Sequence, residues 1–193
     1  LRADRQLGWR GHADYREGPS GDYLGNAIAA GAPLAPFVTP RGLIRAAGEP
    51  ASGLDAAAAW AVRPFPRPAL YPTARATLLR LLSRGTGFGI TPGQGWPGTD
   101  PWTAPTAWSA WALAALARSE RDAAAARTDR AAALHLLADL RRAATPAGEL
   151  PERVDAVTGV PRSTTPLAWS HAFAVLALRQ LWPAPIAAPR GRP

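Results

Sequence analysis

Cysteine, methionine and lysine are all absent from the 193 residues, and acidic side chains are scarce. Without cysteine, disulfide staples, thiolate metal sites and a cysteine nucleophile are excluded. Without methionine there is not even an initiator, which points to a processed product or an excerpt of a longer reading frame. Long apolar runs are lacking too: Pro, Arg or Ser breaks each one before the ~20 residues a membrane span requires. Residues 1–10 have no apolar stretch of the signal-peptide kind, so a soluble chain in the cytoplasm is expected.

Fourteen Asp and Glu face 22 basic residues, all arginine, for a formal charge of +8. Phosphate neutralisation by such charge drives non-specific nucleic-acid binding, yet the arginines are scattered singly. Arg141 and Arg142 form the one adjacent pair, and aromatic residues are not interleaved in a stacking pattern. Nucleic acid is therefore not an expected partner.

Alanine dominates an apolar fraction of 47%, which favours closely packed helices over a sheet of branched residues. Twenty-one Pro and 18 Gly exclude one continuous coiled coil and fit short helices joined by stiff loops. The length suits a single domain.

Residues 1–53 read as an irregular segment of the same domain. In it Asp22 is a candidate cap for a short helix ended by Gly31 and Pro33, and residues 37–45 make two extended pieces around a Pro-Arg-Gly turn. From 54 onward the pattern is helical: Asp55 caps residues 56–62, and a second helix runs from Pro72 or Thr73 to Arg84. Helices at 103–118, 127–143 and 166–181 follow. Leu134, Leu137 and Leu140 mark the inner side of the second of these, and Trp108 and Trp111 that of the first. Residues 183–193 form a Pro/Arg tail expected to fray. Helix, connector, helix, repeated over 54–182, describes an array of helical hairpins: a bundle, a solenoid or a toroid.

Chemistry in such arrays sits on the connectors. The first carries Trp96, Asp100 and Trp102, two aromatic faces and a carboxylate just before a helix, a combination that suits a sugar ring with its C–H faces and hydroxyls. Core filling by both Trp is the alternative. The second reads Leu-Pro-Glu-Arg at 150–153, then Gly159-Val160-Pro161, then Thr-Pro-Leu-Ala-Trp-Ser-His-Ala at 165–172.

That order resembles the C-terminal part of glycoside hydrolase family 15, the glucoamylase and glucodextranase family. Upstream, Thr99-Asp100-Pro101-Trp102 with Thr106-Ala107-Trp108 is similar to the family's Asn/Asp-Pro-Trp helix start, and Leu54-Asp55-Ala56-Ala57 to its Leu-Asp-Ala-Ser segment. Four motifs occur in the family's order across residues 53–182.

The resemblance implies an all-α fold, an (α/α)6 toroid of helical hairpins, here incomplete because a closed ring of twelve helices needs roughly 250 residues. It implies hydrolysis of α-glucosidic bonds with inversion, on an α-glucoside or oligosaccharide substrate, with no cofactor and no metal. An acid protonates the leaving oxygen while a carboxylate on the opposite face activates water, the two ~6.5–9.5 Å apart. By motif, Glu152 matches the general base; the plainer alternative is a loop carboxylate paired with Arg153 or Arg162. The family's acid is a Glu following an aromatic residue, and Glu17, after Tyr15-Arg16, is the candidate. Trp96, Asp100 and Trp102 become substrate contacts, and Trp169 and His171 supports of the Glu152 loop.

Where the family carries an Arg and an acidic residue before its Pro-Trp motif, residues 89–94 read Gly-Ile-Thr-Pro-Gly-Gln. A noncatalytic helical-toroid protein that binds carbohydrate or a protein partner through its Trp-rich connectors is the competing function.

Overall fold

The computed structural model describes residues 23–183. Helix α1 (Leu24–Ala30) buries Leu24, Ala27 and Ile28, one helical stripe, and stops at Gly31. There the left-handed φ of 72° lets the chain turn back, with Gly31 N–H and Ala32 N–H donating to Ile28 and Ala27 carbonyls. Strands β1 (Val38–Thr39) and β2 (Gly42–Leu43) form the antiparallel hairpin that the Pro-Arg-Gly turn announced. Gly42 is required, because φ is 135° and any Cβ would collide with the Thr77 hydroxyl. That hydroxyl accepts from Leu43 N–H at 2.8 Å and donates to the Thr73 carbonyl, so the hairpin is fastened to α2.

The extended chain continues through a bridge between Ile44 and Leu54, and a second joins Asp55 to Gly93. Asp55 then caps the following turn by accepting from Ala57 N–H at 2.7 Å, as its position implied. The segment it caps, Ala56–Ala61, is a 3-10 helix rather than an α-helix, and five of its six residues are buried.

Helix α2 (Tyr71–Leu82) opens with Pro72 in its first turn and buries Ala74, Leu78 and Leu81. Helix α3 (Thr103–Ser119) is buried at positions 103–110 and 112–116, nearly all round, which its small Ala, Ser and Thr residues make possible. Three residues link it to α4 (Ala123–Ala143), whose first turn Asp122 caps through Ala124 N–H. The sequence places the start of α4 at 127; the cap and four Ala extend it to 123. Its inner face is also rotated from the expected one. Leu134 is 37% exposed, while Ala132, Ala133, Leu136, Asp139, Leu140 and Ala143 are buried. A strict spacing of three drifts off a helix with 3.6 residues per turn. Two carboxylates therefore lie on the buried side: Asp139 meets Arg142, and Asp129 takes both Nε and Nη2 of Arg75 from α2. Burial pushes both of these carboxyls above the usual range, partly offset by the arginines.

Helix α5 (Ala168–Leu181) returns across α3 and closes the array. One apolar core runs from Leu24 in α1, through Phe37, Leu54, Leu78 and Leu113, to Leu136 and Leu181, so residues 23–53 share it with the helical part. No described helix is long and apolar enough to cross a membrane.

Candidate active site

The loop between α4 and α5 is drawn onto the starts of two helices. From α3, Thr103 N–H donates to the Glu152 carbonyl at 3.0 Å and the Thr103 hydroxyl donates to the Pro151 carbonyl. Just before α3, Trp102 bridges Arg153 in antiparallel fashion, and Val154 N–H donates to the Pro101 carbonyl at 3.1 Å. From α5, Ser170 Oγ lies 2.8 Å from Thr103 Oγ1, and His171 Nε2 accepts from Leu150 N–H at 2.9 Å. An imidazole that accepts there carries its proton on Nδ1. Thr103 and Ser170 are fully buried, so these bonds form where water does not compete.

Glu152 itself is half-buried, its N–H donating to the Thr164 carbonyl at 2.8 Å. Its carboxylate Oε2 accepts a short hydrogen bond from the Ser163 hydroxyl. Neither neighbouring arginine pairs with it. Arg153 Nη1 faces Asp100 Oδ2 at 3.7 Å, and Arg162 Nη2 is bound to Asp155. Asp155 also accepts from Val157 and Thr158 N–H, and these bonds, with Arg162 first, hold its carboxyl well below the usual range. Asp100 thus engages one guanidinium and the turn over 155–162 the other.

Trp102 and Trp96 meet edge to face with ring centres 5.3 Å apart. Over Trp96, 5.0 Å from its ring, lies the guanidinium of Arg45, whose Nε also pairs with Asp55 Oδ2 at 3.2 Å. Arg45 Nη2 has no hydrogen-bond partner among the described residues and is packed beneath Gly93. Burial raises the Asp55 carboxyl, while Ala57 N–H and Arg45 pull it back.

The other sequence candidates are placed as follows. Asp100 spends its oxygens on the protein: Oδ1 accepts from Ala156 N–H at 3.3 Å and Oδ2 faces Arg153. Trp169 is 47% exposed and leans edge-on against Trp108, ring centres 6.1 Å apart, at the start of α5. Glu17 lies outside the described residues. Three participants escaped sequence reasoning: Arg45, Thr103 and Ser163. The alternation that puts Arg45 and Asp55 on one side of the Ile44–Leu54 bridge was a readable signal; nothing local marks Ser163, eleven residues from its partner.

No protein-family model matches the sequence, and no curated protein does. Solved structures do. A wild-type glycosidase is 24% identical with a TM-score of 0.58, over 76% of this chain and 40% of its own. A glutamate-to-alanine variant of a glycosidase in complex with glucose gives 23% and 0.58 over the same shares. The glucoamylase of Hormoconis resinae, 14% identical, gives 0.59 over 82% of this chain and 40% of its own. The chain thus has the fold of a partial all-α toroid of helical hairpins, like these glycosidases, and spans about 40% of their length.

Proposed function

We propose that the chain carries the base side of an inverting, glucoamylase-like centre for α-glucosidic bonds, with Glu152 as general base. The observation that carries this reading is the state of that carboxylate. Arg153 and Arg162, the cations beside it in sequence, are engaged by Asp100 and Asp155, and a serine hydroxyl aims one of its oxygens. A carboxylate clamped by a guanidinium is a poor proton acceptor, because the cation favours its ionised form. Glu152 is held through one oxygen by a neutral hydroxyl, which leaves its second oxygen for a water.

In the proposed reaction a water between Glu152 and the anomeric carbon gives its proton to the carboxylate as its oxygen bonds to carbon. The bond from that carbon to the leaving oxygen breaks on the opposite face, and a carboxylic acid protonates the departing alcohol. Glu17 is our assignment for that acid. Trp96 and Trp102 are our assignment for the C–H side of a glucose ring, and Arg45, stacked over Trp96, is a further donor there. Asp100 acts by holding the Glu152 loop to the α3 start, and His171 and Ser170 hold it from α5, with Trp169 packed beside them.

Inversion is checked by time-resolved proton NMR of maltose hydrolysis: β-glucose is expected from the released nonreducing unit before mutarotation. Release of α-glucose, or no hydrolysis at all, would overturn the proposal. Absence of hydrolysis with retained sugar binding would instead favour a noncatalytic carbohydrate-binding toroid.

A further inference from the structure

The Ile44–Leu54 bridge has two sides. Arg45 and Asp55 face Trp96 on one; Ile44 and Leu54 themselves line a cleft of about 650 Å³ on the other. This alternation is what extended chain requires, so the cleft is a separate hollow behind the sugar-site wall. Its volume is in the range of small-molecule sites. The floor is apolar. The polar groups converge from three elements: Thr39 and Arg41 from the β1–β2 hairpin, Arg84 just past α2, and Gln94 from the connector before α3.

Arg41 and Arg84 have no side-chain partner among the described residues, so no carboxylate neutralises either guanidinium at this cleft. Glu49, beside the rim residue Pro50, pairs with neither. The carbonyls of Leu79, Leu81 and Leu82 at the end of α2 are taken by Ser83, Arg84 and Gly85 N–H, so the helix end does not occupy the guanidinium of Arg84. Two uncompensated forks over an apolar floor are chemistry for an oxyanion carried on an apolar body, because guanidinium matches carboxylate and phosphate in two parallel hydrogen bonds.

We infer that this cleft binds a small anionic molecule, its phosphate or carboxylate between Arg41 and Arg84 and its apolar part on Val38, Pro40 and Pro50, which flank the buried Ile44 and Leu54. The inference stands apart from the hydrolase reading, since none of its residues belongs to the Glu152 site.

Calorimetric titration of the full chain with phenyl phosphate, benzoate and benzyl alcohol tests it. Saturable binding of at least one anion is expected, weakened by added salt, with benzyl alcohol binding far more weakly. The relative affinity of phenyl phosphate and benzoate distinguishes a phosphate from a carboxylate ligand. Arg41→Gln and Arg84→Gln are exposed changes that leave the melting temperature unaltered, and each is expected to weaken anion binding about tenfold. Absence of saturable anion binding, or equal affinity in both variants and the parent, overturns it.

Discussion

Helices α3 and α5 both begin at the Glu152 loop, yet they are opposite in environment. α3 is enclosed over almost its whole length, with even Thr103, Thr106 and Ser109 buried. α5 buries only Ser170, Ala177 and Leu181 and leaves Trp169, Val175, Leu176 and Leu178 open. The difference separates two jobs. α3 is the fixed wall: its start supplies the N–H and hydroxyl that hold Pro151 and Glu152, and its rigidity comes from packing on every side. α5 contributes two polar side chains at its first turn and packs one side, Phe173, Ala177 and Leu181, onto the core, leaving the other side open.

Three substitutions probe that contrast, taken from the largest expected effect down. Trp108 lies between Trp60, Trp169 and Phe173 and donates through Nε1 to the Ala56 carbonyl at 3.1 Å. Trp108→Ala is expected to cost about 3–5 kcal/mol in chemical denaturation, the usual range for emptying a buried aromatic site. A loss below about 1 kcal/mol would break the picture of α3 as the fixed wall. Thr103→Val keeps the shape but leaves the Pro151 carbonyl without its donor, an expected cost of about 1–3 kcal/mol. If the loop is positioned from α3, turnover falls in this variant by more than substrate affinity does; an unchanged turnover would assign the loop's position elsewhere. On the open face of α5, Leu176→Ser is expected to shift stability by no more than about 0.5 kcal/mol, as exposed sites do. A larger loss would mean that this face is covered in solution, and the comparison would have to be redrawn.

The sequence was most readable where one physical signal acted alone. Gly31, Pro72 and Asp55 mark or cap their elements through local rules that operate within a few residues. The Pro-Arg-Gly turn between β1 and β2 is another such case. Reading failed where burial depended on neighbours far along the chain. Spacing by threes made Leu134 an inner residue, but α4 turns Asp129 inward, where Arg75 from α2, 54 residues away in the chain, meets it. At the candidate site, Glu152 and Trp102 are proposed from a resemblance of motifs, and Trp96 from its place in an aromatic, polar connector. The fate of the arginines was not read from the sequence. That Arg153 goes to Asp100 depends on the loop after Glu152 folding back onto the start of α3, a contact between residues far apart in the chain, whereas Arg162 meets Asp155 within one turn.

Glu152 is the proposed proton acceptor, and the rate of maltose hydrolysis by Glu152→Gln against the parent chain tests this directly. Gln keeps the shape and can still accept from Ser163 through its carbonyl oxygen, so the fold and the melting temperature are expected to persist. A fall in kcat of about 10²–10⁴, the contribution of general base catalysis, is expected with sugar binding retained. Equal rates for the variant and the parent would contradict it.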